Sequence, residues 1–272
     1  MPDIKLIATD LDGTLLTGDK RLPPDFYAVL HALHRRGILF VAGSGRTYRT
    51  LQSTFAQVPD NVHFLCDNGA YVVENGVNTF TSIIEPALWR RAAAAADAEG
   101  PQVRALLCGV HGTYLHEYRD APLLRDQLTS CFAEVTVCPD FAKVQDDIFK
   151  IAVCDMRGAG THAYPRLRAA FGGELNVLHT GPFYLDMMNL GITKGSALAH
   201  LQRERGILPE ETMAFGDFFN DVDMLACARY SFVMENAAPE MFAHGRFRAP
   251  SNECYGVSTI IRRHVLEGQP FP

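Results

Sequence analysis

The amino-acid sequence predicts an α/β fold: a parallel-sheet core interrupted by an inserted α+β segment. Two observations lead there. Strand-like and helix-like runs alternate from the N-terminus, the pattern of βαβ units. That alternation breaks near Pro86 and resumes after 183–188. A third observation bears on function. Acidic or hydroxyl-bearing residues follow several of the apolar runs, at the strand ends where α/β sheets place their chemistry.

The elements follow in order. The apolar run 4–8 reads as a buried strand and leads into Asp10-Leu11-Asp12-Gly13-Thr14-Leu15. Residues 25–36 carry an apolar stripe of Val29, Leu30 and Leu33, and Gly37 is a helix stop. Strand 38–42 runs into Gly43-Ser44-Gly45-Arg46, and 46–57 reads as a helix with Leu51 and Phe55 four apart. Strand 62–66 follows. Asn75-Gly76 between two apolar runs is a hairpin signal.

The insert begins with an alanine-rich helix, 88–99, explained by helix propensity. Short strand signals lie at 103–110, 114–118, 134–137, 148–154 and 174–180, with helical signals near 122–131 and 161–171. Then the alternation returns: helix 194–205, strand 212–215, helix 221–228, strand 231–234 and a helix near 257–266. The expected division is a core of 1–83 and 188–272 with an insert of 84–187.

Composition narrows the class. With 47% hydrophobic residues the chain can bury a sizeable core. The net charge of −6 is spread along the chain, and no basic stripe points to nucleic acid. Seven cysteines, without a C-x-x-C spacing, read as reduced core residues rather than a zinc site or disulfide framework. No leader-like segment and no long apolar span is visible, so a cytoplasmic location away from membranes is expected.

Asp10 and Asp12 are two carboxylates at a strand end: one can attack, the other can move a proton. Asp217 lies in Gly216-Asp217-Phe218-Phe219-Asn220-Asp221 after another apolar run, and Lys194 opens a helix in Thr193-Lys194-Gly195-Ser196. Asp10, Asp12, Asp217 and Asp221 gathered in one place would need a cation, and Mg²⁺ suits a few oxygen ligands with retained waters.

These pieces, in this order, resemble the haloacid dehalogenase superfamily of phosphohydrolases. Asn68-Gly69-Ala70, Met234-Glu235-Asn236-Ala237 and Ser251-Asn252 are similar to its Cof-like subgroup, which carries the second cap type. Phe149-Lys150 and Pro270-Phe271 look like a branch acting on sugar phosphates and flavin mononucleotide. The resemblance implies a Rossmann-like core with a substrate-selecting cap, and hydrolysis of a small phosphorylated metabolite through an aspartyl-phosphate at Asp10. Asp12 would be general acid and base. The metal ligands would be the Asp10 carboxylate, the Asp12 carbonyl and the Asp217 carboxylate, supported by Asp221. The phosphate would meet Leu11, Thr14, Ser44, Gly45 (its N–H at a helix start), Lys194 and Asn220. Thr14 would orient Asp12 or simply stabilise the turn.

Other readings are a phosphosugar mutase and a non-enzymatic phospho-acceptor or binding protein. Arg46 is expected to pair with a carboxylate. Lys150, Asp186 and Asn189 are weaker candidates for substrate contact. His31, His34, His111 and His116 read as surface or packing residues.

Overall fold

The computed structural model describes residues 3–57, 62–116, 132 and 135–271. The expected helix near 122–131 and part of the strand signals at 114–118 and 134–137 lie outside them. The strands in chain order are β1 (Leu6–Asp10), β2 (Leu39–Gly43), β3 (His63–Cys66), β4 (Tyr71–Glu74), β5 (Val77–Thr81), β6 (Val103–Gly109) and β7 (Thr113–His116). They continue as β8 (Thr136–Cys138), β9 (Ile148–Asp155), β10 (Leu175–Gly181), β11 (Tyr184–Asn189), β12 (Thr212–Gly216), β13 (Tyr230–Met234) and β14 (Phe247–Ala249). The helices are α1 (Phe26–Arg35), α2 (Tyr48–Thr54), α3 (Pro86–Asp97), α4 (Ala163–Phe171), α5 (Lys194–Arg205), α6 (Val222–Ala226) and α7 (Gly256–Ile260).

The chain forms two compact units, 1–79 with 193–272, and 80–192. These joints lie outside the 84–187 read from sequence texture. At the far joint the reason is β11, which pairs antiparallel with both β9 and β10. The amide of Asn189, its last residue, bonds Ser82 Oγ at 3.0 Å and the Ile83 carbonyl at 2.8 Å, so that residue is a structural tie.

The first unit is built on a sheet in the order β14-β13-β12-β1-β2-β3-β4-β5. From β14 to β3 every pairing is parallel. β1 lies at its centre and all five of its residues are buried, as a strand covered on both faces requires. Asn75 and Gly76 take positive φ, the turn that the Asn-Gly pair predicts between β4 and β5. The chain steps from β1 to β2 on one side and later adds β12 on the other. Strand order therefore reverses beside β1, which opens a crevice at the strands' carboxyl ends.

Helix α5 spans the predicted residues. Thr193 caps it, accepting from Ser196 N while the Ser196 hydroxyl accepts from Thr193 N. α2 is shorter than expected and starts at Tyr48, with Thr47 before it. The predicted last helix begins as α7 and ends in a wider π-type turn, Ile261–Leu266. β14 is an edge strand that sequence patterning misses, because three residues carry too little periodicity. Pro270-Phe271 has a packing role: the Phe271 ring lies 4.4 Å from that of Tyr230.

The second unit has a sheet in the order β10-β11-β9-β6-β7-β8. Ala92, Ala93 and Ala96 of α3 are buried in a core with Val103, Ala105, Leu167 and Phe171. The alanine run thus does more than favour helix: its small side chains bring α3 close to the sheet. Lys150 on β9 and Asp186 on β11 are both buried and pair at 3.6 Å. His111 is bonded to Asp146, and His116 to the Pro139 carbonyl.

The close approach of α3 makes a test. Ala93→Leu should overpack this core and destabilise the protein by about 1–3 kcal/mol, read as a lowered denaturant midpoint. An unchanged midpoint would contradict the close packing.

Candidate active site

Strand β1 ends in Asp10, β2 ends just before Ser44, and β12 ends just before Asp217. Three separate segments therefore present polar side chains at one edge of the sheet. Asp10 is 6% exposed and Asp221 fully buried. Between them lies the Lys194 ammonium, 2.5 Å from Asp10 Oδ1 and 2.7 Å from Asp221 Oδ1. The other oxygen of Asp221 accepts from the backbone N–H groups of Asp217 and Phe218 at 3.1 and 3.2 Å. Asp221 thus shapes its own loop while anchoring the lysine. Gly216 is required for this: a Cβ there would stand 2.5 Å from that of Asp221.

Asp10, Asp217 and Asp221 each place one carboxylate oxygen within 4.8 Å of the others. Burial pushes the Asp10 carboxyl well above its ordinary range against the pull of Lys194, and Asp221 and Asp217 add to the rise. Asp217 is pushed up to about 6, by burial first and by Asp221 next. Lys194 is held charged, because the two carboxylates outweigh the cost of its burial. One ammonium is thus set against three carboxylates. An all-oxygen cluster short of positive charge is a donor set that fits Mg²⁺.

Asp12 stands outside that cluster. Its carboxylate is gripped by Arg46 Nε at 2.7 Å, by a second Arg46 nitrogen at 2.5 Å and by Lys20 Nζ at 2.7 Å. Burial raises its pKa, but these cations more than reverse that, so the net shift is downward. Arg46 pairs with a carboxylate as anticipated. Lys20 was not anticipated; a lone lysine between β1 and α1 carries no sequence signal.

Several expected placements change. The Thr14 hydroxyl donates to Asp217 Oδ1 at 2.6 Å, not to Asp12, and the Thr14 N–H goes to the Leu11 carbonyl. Thr14 thus ties the first loop to the Asp217 loop. Gly45 precedes α2 by three positions, so its N–H is not at a helix start. Buried Ser44 accepts from Arg46 N through its hydroxyl at 3.1 Å, a local turn. Leu11 is buried, and its carbonyl accepts from Thr14 and Leu16. Asn220 donates to Asn68 Oδ1 at 3.0 Å. Asn68 is a site residue that only the Asn68-Gly69-Ala70 turn could have flagged. Phe219, within the same loop as Asp217, is half exposed.

Residues 7–261 match the family of haloacid dehalogenase-like hydrolases. The chain belongs to that family. It is 30% identical over 279 residues to 5-amino-6-(5-phospho-D-ribitylamino)uracil phosphatase of Escherichia coli, covering 98% of each chain. It is also 30% identical over 263 residues to the HMP-PP phosphatase of Serratia proteamaculans, covering 87% of this chain and 86% of that one. A crystal structure of a Streptococcus mutans protein superimposes with a TM-score of 0.90 at 26% identity, over 97% of this chain and 99% of that one. This haloacid dehalogenase-like hydrolase is thus an enzyme acting on phosphoric monoesters, with the parallel-sheet core that the motifs implied.

The charge balance predicts a pH response. In metal-free protein the folded state holds the Asp217 proton more tightly than the unfolded chain does. Stability from this group is therefore full below about 4 and lost as pH rises through about 6. Lys194→Gln should deepen the loss, by about 3–5 kcal/mol at neutral pH and less at pH 4, where Asp217 and the raised Asp10 carboxyl are protonated. Urea unfolding at several pH values with chelator present measures both effects. A variant equally destabilised at every pH would refute the charge argument.

Proposed function

We propose that this chain is a Mg²⁺-dependent phosphomonoesterase working through an aspartyl-phosphate at Asp10. The observation that carries this reading is the Asp10–Lys194–Asp221 arrangement with Asp217 beside it, at the strand-order reversal. An anionic nucleophile must approach an anionic phosphoryl group, and the Lys194 ammonium beside Asp10 lowers that barrier. Mg²⁺, held by the Asp10 and Asp217 carboxylates and the Asp12 carbonyl with Asp221 in support, would supply the missing positive charge.

Asp10 attacks phosphorus in line. A bond from its carboxylate oxygen to phosphorus forms, and the ester oxygen–phosphorus bond breaks. Lys194 holds the attacking carboxylate and offsets charge on the phosphoryl oxygens. Ser44, the Gly45 N–H and Asn220 hold those oxygens, with Asn68 fixing the amide of Asn220. Asp12 gives the leaving oxygen its proton. In the second half Asp12 takes a proton from water, the water oxygen bonds to phosphorus, and the bond to Asp10 breaks, releasing inorganic phosphate. The pinned, ionised Asp12 is already in the state needed for this second half. Proton donation requires that it first take up a proton and leave Arg46 and Lys20.

The substrate is a small phosphorylated metabolite. The names of the relatives support a phosphorylated sugar or polyol chain, with a ribityl phosphate such as flavin mononucleotide among the first to try. Substrate choice is assigned to the second unit and chemistry to the first. This mirrors the capped arrangement that the resemblance implies.

Asp10→Asn should remove nearly all turnover without unfolding the protein. Asp12→Asn should slow hydrolysis by about 10²- to 10⁴-fold. Chelation should abolish activity and Mg²⁺ restore it. Phosphate release across sugar phosphates, flavin mononucleotide and pyridoxal phosphate tests the reading, and phosphate migration without release would favour a mutase. Full activity in metal-free protein, or in Asp10→Asn, would refute the mechanism. Substitutions in the second unit that leave it folded should reorder the substrate panel, whereas core variants should slow every substrate alike. An unchanged ranking would place selectivity elsewhere.

A further inference from the structure

Two sequence features, Asn236 and Ser251-Asn252, have no part in the chemistry above, yet the Asn236 and Asn252 side chains both turn to one stretch of backbone. Asn236 follows β13, and its Nδ2 donates to the Gly13 carbonyl at 2.8 Å. Its Oδ1 accepts from the Asn252 N–H at 3.1 Å. Asn252, 6% exposed, donates through Nδ2 to the Leu16 carbonyl at 2.8 Å. Its Oδ1 accepts from Ser251 Oγ at 3.2 Å. Glu253 Oε1 accepts from the Gly18 N–H at 2.6 Å. Three side chains from beyond residue 230 thus grip the main chain at Gly13, Leu16 and Gly18.

That stretch begins directly after Asp12 and lies against Asp217. Gly13 has φ +82, and a Cβ there would stand 2.4 Å from Asp217 Oδ2. The peptide planes on either side of Gly13 meet at its Cα. Holding the Gly13 carbonyl on Asn236 fixes one of these planes and leaves only φ and ψ of Gly13 between it and the Asp12 carbonyl. Thr14, the next residue, donates to Asp217 Oδ1. The grip is itself built with care. Tyr255 has φ +55, and a Cβ on Gly256 would stand 1.9 Å from the Pro250 carbonyl oxygen, so the 250–256 turn is tightly folded around Asn252.

We propose that Asn236, Asn252 and Glu253 are positioning residues that clamp the loop after the nucleophile. They set the Asp12 carbonyl and the Asp217 carboxylate as a preformed site for a divalent cation. This rests on the proposed metal-dependent function, and it assigns the C-terminal loops a task in that function rather than in folding alone. Without the clamp the loop must be ordered by the cation itself, and that cost appears as weaker binding.

Asn236→Ala tests it, since Asn236 is exposed and its loss should leave the fold intact. Calorimetric titration of the metal-free protein with Mg²⁺ alone should show affinity weakened by about 10- to 100-fold. The metal-free melting temperature should stay near the parent value, and kcat at limiting Mg²⁺ should fall with KM unchanged. Glu253→Ala, at the far end of the clamp, should change Mg²⁺ affinity in the same direction by less. Parental Mg²⁺ affinity in both variants, or a lowered melting temperature with affinity retained, would overturn the clamp. A parent that binds Mg²⁺ but releases no phosphate overturns the proposed function alone; a parent that binds no Mg²⁺ overturns both.

Discussion

A single ammonium, Lys194, sits buried between two carboxylates, Asp10 and Asp221. The rest of the site depends on that placement. Without it, carboxylates from β1 and from the loop after β12 would be forced together out of water with no counter-charge. The lysine can occupy this position because it opens α5, whose capping box fixes the first turn. Gly195 beside it lets that turn meet Asp223, where a Cβ would come within 2.4 Å. One helix start thus joins the two acidic segments, and it leaves one ammonium among three carboxylates.

The sheet supplies the second constraint. Parallel strands all deliver their carboxyl ends to one edge, and the reversal of order beside β1 leaves a gap between neighbouring crossovers. Side chains far apart in the chain meet there because their backbones are held in register: Asp10 pairs with Gly43, and Thr9 with Phe215. The acidic loops need only short turns to reach one another.

Those turns are held by polar side chains spent on backbone or on other side chains: Thr14 on Asp217, Asn68 on Asn220, Asn236 on Gly13, Asn252 on Leu16. Each bond is of modest strength alone. Together they replace the order that a regular helix or strand would have given to an irregular loop, and a site for charge transfer benefits from such prior order. Asp12 is the exception, held not by neutral hydrogen-bonding groups but by two cations, Arg46 and Lys20.

Much of this was legible in the residues themselves. Strand β1 with Asp10 at its end, helix α5 beginning at Lys194 and the acidic loop after β12 all follow from local periodicity and capping chemistry, which neighbouring residues decide. The family followed from the order of those segments. The choice of partner did not: nothing near Thr14 in sequence says that its hydroxyl goes to Asp217, nor that Lys20 reaches Asp12, nor that Asn236 and Asn252 grip the loop after Asp10. The early start expected for α2 and the unforeseen edge strand β14 have the same origin, since short elements take their limits from what they pack against. Local sequence set which groups stand at the sheet edge. Tertiary packing set which of them touch, because a hydrogen bond depends on distances that only the folded chain defines.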